Sequence, residues 1–395
     1  MLGIKPGYII SSMQKVFADI VSVIKNAFQE KAFIPLHAPV FSGKEREYVL
    51  DAIDSTYVSS VGAYVNKFEH MMCEITGASH AVAIVNGTNA LHLALILAGV
   101  EREDEVLSQS LTFIATCNAI SYISAKPVFI DVDKDTVGLS PDSLTQFLNE
   151  NARKGQDGFC YNKHSGKRIK ACVPMHTFGL PCRIDAIAEI CDQWNIVLVE
   201  DAAESIGSTY NGKHTGIFGL LGIFSFNGNK TITCGGGGAI VTNDEKLAHR
   251  AKHLSTQAKV AHAWEFVHDE VGFNYRMPNL NAALACAQLN QLDSFVSNKR
   301  DLAQLYHKKF ESLNISTLKE IKTAKSNYWL NGILFENRGQ RDAFLKYSND
   351  NGVMTRPVWE LMHRLQMFAG SNNAPLPNSE WIADRLVSIP SSVRL

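Results

Sequence analysis

Between residues 81 and 242, short apolar runs alternate with stretches of helical periodicity, and glycines or polar turns separate them. Residues 81–85, 105–108, 127–130, 170–175 and 196–200 read as strands. Residues 90–98, 115–124, 140–148 and 185–194 read as the helices between them. Ser140-Pro141-Asp142 is helix-start chemistry, with an oxygen to cap free amides and a proline in the first turn. A helix between successive strands is what parallel pairing requires, because the chain must cross back before the next strand starts. The expected fold is therefore α/β, built on a mostly parallel sheet. Two more short apolar runs, 222–226 and 238–242, lie near glycines. After about residue 245 the pattern changes to a long helical region (280–310), a strand-like run (328–335), a helix (340–349) and a proline-rich end. This implies a smaller α+β C-terminal domain. The expected division is a helical extension at 1–33, a large domain at 34–265 and a small domain at 266–395.

Composition narrows the function classes. A chain of 395 residues with 46% hydrophobic residues can bury a large core. Its net charge of −1 argues against nucleic acid or an anionic membrane as the main partner. The eight cysteines contain no CxxC pair and the thirteen histidines no HExxH, so neither a disulfide framework nor a metal site is expected. The cysteines read as free thiols of a cytoplasmic protein. Near the N-terminus, Phe17, Ile20, Val21, Ile24, Ala27 and Phe28 recur at helical spacing, while Lys15, Asp19 and Lys25 interrupt any signal-peptide core. An amphipathic helix packed on the body or on a partner subunit is expected there.

Four segments carry chemistry. Asn86-Gly87-Thr88-Asn89 follows a strand and opens a helix; its free amides and the positive helix end suit a phosphate, although an ordinary cap reads the same way. Asp201 ends an apolar strand where α/β enzymes place ligands, and could hold a cationic ring nitrogen, a metal or a helix cap. Lys230 stands between a buried run and the glycines Gly235–Gly238; burial lowers a lysine's pKa and a neutral amine can form a Schiff base, the alternative being a solvated loop lysine. Phe113, just after a strand, could stack on a flat ring or fill the core. Together, a phosphate cradle, an aromatic, a strand-end aspartate and a lysine 29 residues after it match the needs of pyridoxal phosphate.

The sequence resembles the DegT-type family of sugar-nucleotide aminotransferases, which have the fold-type-I pyridoxal-phosphate architecture. The resemblance runs over residues 34–392. It rests on the 86–91 turn, Glu200-Asp201-Ala202-Ala203, Ser225-Phe226 with Lys230, the 272–277 segment and Thr355-Arg356-Pro357. The form Ser225-Phe226-Asn227-Gly228-Asn229-Lys230, with 174–179 and 264–266, looks most like the branch that aminates C4 of UDP-linked 4-keto-6-deoxy-N-acetylglucosamine, as in legionaminic acid and bacillosamine synthesis. The resemblance implies Lys230 as Schiff-base lysine and proton shuttle, and Asp201 as partner of the pyridine nitrogen. Phe113 would cover the ring face. Thr88 and the Asn89 backbone would hold the cofactor's phosphate together with Ser225; Gly87 and Asn227 would also bind the cofactor, and Glu204 would lie near O3′, where other members often carry histidine or glutamine. Asn274 would reach in from the other subunit of a homodimer. Ser60, Arg356 and His363 would contact the nucleotide sugar, and L-glutamate would be the amino donor. Related dehydratases replace the lysine with histidine, so Lys230 favours transamination.

Overall fold

The computed structural model describes residues 6–371 and 373–395. Helices α1 (Pro6–Ala27), α2 (Glu45–Asp54) and α3 (Ala63–Thr76) precede a seven-stranded sheet. Its strands are β1 (His80–Ile84), β2 (Glu105–Gln109), β3 (Lys126–Ile130), β4 (Ile169–Val173), β5 (Val197–Asp201), β6 (Leu221–Ser225) and β7 (Gly238–Thr242). Their spatial order is β1-β7-β6-β5-β4-β2-β3. The five strands from β6 to β3 pair in parallel, and β7 runs antiparallel to both its neighbours. The crossovers are α4 (Gly87–Leu97), α5 (Ile114–Tyr122), α6 (Pro141–Asn151) and α7 (Ile184–Trp194), with α8 (Glu245–Ser255) after β7. Apolar clusters fill both sides of the sheet, which is why β2, β6 and β7 are buried at every residue.

The elements expected between residues 81 and 242 form close to their expected places. Two later ones differ. The long helical region divides into α9 (Asn279–Leu289) and α10 (Leu292–Glu311), separated at Asn290 and Gln291. The strand-like run 328–335 yields a strand only at β9 (Asn331–Leu334), since Tyr328 takes a left-handed φ of 46° that no extended strand accommodates. β9 joins β8 (Ser316–Thr317), β10 (Arg356–Pro357) and β11 (Leu386–Ile389) in a second, antiparallel sheet of order β8-β9-β11-β10. Helices α11 (Arg338–Asp350) and α12 (Pro377–Ala383) complete this part.

The N-terminal helix settles on the chain's own body. Phe17, Ile20, Val21, Ile24 and Phe28 share one core cluster with Leu302, Tyr306 and Phe310 of α10 and Phe344 of α11. The Phe17 ring meets Phe335 edge-on at 5.9 Å and Phe344 at 5.4 Å. All eight cysteines are free. Among the described residues, no helix is long and apolar enough to cross a membrane.

Because Ile24 is fully buried, Ile24→Ala is expected to lower unfolding free energy by about 2–4 kcal/mol. Urea denaturation reads this; an unchanged midpoint would mean that α1 contributes nothing to the folded chain.

Candidate active site

The carboxyl ends of the parallel strands converge on a cavity of about 380 Å³. From the expected set it is lined by Gly87, Thr88, Phe113, Asp201, Glu204, Ser225, Asn227 and Lys230. On its β1 side, Asn86 caps α4: its Oδ1 accepts the Asn89 N–H at 2.8 Å. The Asn89 amide, one of the expected phosphate donors, thus donates to the cap in this structure. The amides of Gly87 and Thr88, which precede it at the positive helix end, have no acceptor inside the helix. Gly87 is required by contact. A Cβ there would lie 2.8 Å from the Ser225 Cβ, so the start of α4 and the end of β6 touch only because that position is bare.

Asp201 closes β5 and is buried. Its Oδ2 accepts the Thr116 hydroxyl at 2.7 Å and its Oδ1 the Ala203 N–H at 3.2 Å. Burial pushes its pKa up, opposed by those hydrogen bonds and by Lys230. A cation placed against it in the cavity would favour the charged form. The adjacent Glu200 faces the other way, as alternation along a strand demands. Its oxygens accept the amides of Gly216, Phe218 and Gly219 and meet His176 Nε2 at 3.0 Å, so it pins the 216–219 loop.

Lys230 follows a turn in which its own N–H donates to the Asn227 carbonyl at 2.9 Å. Its Nζ lies 3.2 Å from Glu204 Oε1 and 4.1 Å from the Trp329 ring centroid. The other Glu204 oxygen accepts the Phe178 N–H at 2.9 Å, where Phe178 holds a left-handed φ of 59°. Burial raises the Glu204 carboxyl to about 7, against the opposing pull of Lys230. Phe113 is 46% exposed, which removes the core reading; its ring stands edge-on to Trp359 at 6.0 Å.

Four expected residues lie elsewhere in this chain. Asn274 and Ser60 line a different cleft, beside Thr256, His262 and Arg276. Arg356 is exposed on β10, where its guanidinium donates to Asn349 Oδ1 at 3.1 Å and to the Thr355 carbonyl at 2.8 Å. His363 Nδ1 is 2.7 Å from Ser110 Oγ, and Nε2 is 3.4 Å from Glu380. Conversely, sequence reasoning missed Trp329, Trp359 and Met175 in the cavity wall and Thr116 behind Asp201. Thr116 lies three residues after Phe113, which the sequence singled out; the tryptophans carry no local signal, being about a hundred or more residues from Lys230 along the chain.

A folded-state value near 7 against about 4.3 unfolded means that the folded chain holds the extra proton between those pH values. Glu204's contribution is thus fully present at low pH and lost as pH rises to 7. In the cofactor-free protein, Glu204→Gln is expected to gain roughly 2–3 kcal/mol more stability at pH 8 than at pH 5. Thermal melts at the two pH values check this; an equal effect at both would contradict the buried-carboxyl account.

Residues 40–395 match the DegT/DnrJ/EryC1/StrS aminotransferase family. The chain is 38% identical to GDP-perosamine synthase of Escherichia coli O157:H7 over 359 residues, 91% of this chain and 93% of that protein. It is 35% identical to GDP-perosamine synthase of Vibrio cholerae over 91% and 94% of the two chains. Among solved structures, the aminotransferase TlmJ from Streptoalloteichus hindustanus matches with a TM-score of 0.82 at 27% identity, over 91% and 93% of the chains. The chain therefore belongs to the DegT/DnrJ/EryC1/StrS aminotransferase family and is a pyridoxal-phosphate-dependent sugar aminotransferase.

Proposed function

We propose that the chain moves the amino group of L-glutamate to C4 of a nucleotide-linked 4-keto-6-deoxy sugar, and that this sugar is the UDP-linked N-acetylhexosamine. The observation that carries the reading is one cavity holding the Lys230 amine, the buried Asp201 carboxylate and the bare helix start at Gly87. These residues fit pyridoxal phosphate. The amides of Gly87 and Thr88, the hydroxyls of Thr88 and Ser225 and the side chain of Asn227 suit its phosphate. Asp201 suits a protonated ring nitrogen, and the exposed Phe113 a ring face. When bound, the cofactor supplies an electron sink for bond changes at the amino-bearing carbon.

The chain's own residues do the rest. Lys230 takes the proton from Cα of glutamate and delivers it two bonds away, to the carbon on the far side of the amino nitrogen, then repeats this in reverse for the keto sugar. Glu204 holds that amine within the cavity, and Trp329 and Trp359 keep water from it. Glutamate leaves as 2-oxoglutarate before the sugar enters, so the two substrates share one site in turn. Asn274 and Ser60, remote from this chain's cavity, complete the site of the other subunit in a homodimer. Arg356 and His363 bracket Trp359 in sequence and meet the nucleotide beyond the cavity mouth.

The motif from Ser225 to Lys230 supports the UDP-linked acceptor. A second reading, a GDP-linked 4-keto-6-deoxy sugar, is favoured by the names of relatives that match nine-tenths of the chain. The test is a half-reaction: load the protein with pyridoxal phosphate, exhaust it with glutamate, remove the donor and add each sugar while following cofactor absorbance. Return of the starting spectrum with the UDP 2-acetamido sugar alone supports the first reading. Return with the GDP sugar alone replaces it with the second. Silence with every 4-keto sugar after a clean glutamate step overturns both. Lys230→Ala is expected to retain its circular dichroism and lose about 10³-fold or more in half-reaction rate; a wild-type rate would remove Lys230 from the chemistry.

A further inference from the structure

Lys299, on α10, is fully buried and is among the largest buried side chains of the protein. Its Nζ donates to the Trp329 carbonyl at 3.1 Å, to the Ser391 carbonyl, and lies 2.9 Å from His37 Nε2. These partners are two carbonyls and an imidazole. Burying an ammonium among neutral acceptors is costly, and burial alone lowers its pKa to about 7. A lysine buried at that cost ties together four segments: the connection between α1 and α2 at His37, α10, the approach to β9 and the stretch after β11 at Ser391.

Trp329 is the tied residue that reaches the active site. Its backbone N–H donates to Asn327 Oδ1 at 2.8 Å and its indole N–H to the Asn229 carbonyl at 2.6 Å. Asn229 precedes Lys230, and the Trp329 ring lies 4.1 Å from the Lys230 amine. The indole thus touches the lysine through its backbone neighbour and through its charge. The strand that follows is locked to the same point, since Ser391 Oγ accepts the Asn331 N–H at 2.8 Å. The left-handed Tyr328 immediately before Trp329 offers no strand pairing to hold the indole in place. The Asn327 and Asn229 bonds hold the two N–H groups of Trp329, and the Lys299 bond to the Trp329 carbonyl adds the restraint on the third polar group of the residue.

We propose that Lys299 is a positioning residue for Lys230: by fixing the Trp329 backbone it sets the indole against the reacting amine. This rests on the reading of Lys230 as that amine. The consequence is a coupling between α10 and the chemistry, carried by one tryptophan.

The test is a double-mutant cycle with Lys299→Met and Trp329→Phe. Two rates are measured: the glutamate half-reaction of the holoenzyme, and capture of pyridoxal phosphate by the cofactor-free protein, both followed by absorbance. Each single variant is expected to slow both rates by about tenfold. The double variant is expected to be no slower than the slower single, because both changes break the same coupling. A Lys299→Met protein that melts earlier but keeps both rates overturns the proposal, since its role is then structural only. Losses that multiply in the double variant also overturn it. If Lys299→Met does not fold, Lys299→Gln, which keeps an N–H donor, enters the same cycle under the same criteria. Lys230→Ala separates the two failures: if it still captures the cofactor with the wild-type absorbance change and turns over, the reading of Lys230 is what fails.

Discussion

Asp201 and Glu204 are carboxylates taken out of water three residues apart, and a folded chain tolerates that only where donors are supplied from several directions. Asp201 draws Thr116 from α5 and the Ala203 amide. Glu204 draws Lys230 and the Phe178 amide. Phe178 gives that amide from a left-handed conformation, and the next residue, Gly179, is bare because a Cβ would lie 1.9 Å from Asn327 Oδ1. Asn327 in turn donates to the Glu204 and Ile206 carbonyls. The demand of two buried carboxyl groups for partners therefore organises a large part of the chain around one end of the sheet.

The second sheet enters the chemistry through this same network. Asn327 accepts the Trp329 N–H, and Trp329 and Trp359 form the wall of the cavity opposite the strand ends. The small antiparallel sheet is packed under α1 and α10, with the Phe17, Ile24 and Phe310 cluster beneath it. Tight aromatic packing gives such a wall one arrangement rather than many. The cavity is then rigid at its back, from β5 and β6, and at its front, from segments fixed by the second core. A site that must hold a planar group and move a proton between two carbons flanking one nitrogen benefits from both.

Much of the α/β framework was legible, because strand and helix each announce themselves by a short period of apolar residues. The crossovers from residue 81 to 201 are where that signal is strongest, and there the elements match within a few residues. The reading weakened where tertiary contacts override periodicity. Tyr328 and Trp329 look like strand residues, yet Asn327 and Asn229 capture the Trp329 donors and turn the backbone. The Asn86 turn reads as either a phosphate cradle or an ordinary cap, and only the fold shows that the Asn86 side chain caps it through the Asn89 amide. Asp201 was singled out at its strand end, but that the strand's alternation sends its neighbour Glu200 to the loop at 216–219 is visible only in the fold.

The linear order of residues sufficed for the fold class, the α1 stripe and the types of chemical group available, since each depends on local period or on residue identity. Which groups meet was decided in three dimensions. Lys230, Trp329 and Lys299 lie on separate elements, and no spacing along the chain encodes a contact between an indole and an amine 99 residues away. The same holds for Ser60 and Asn274, which share a cleft apart from the cavity that holds Lys230. Packing of the second core against the sheet's carboxyl edge brings those side chains within a few ångströms, and proximity at that scale sets the electrostatics on which the chemistry depends.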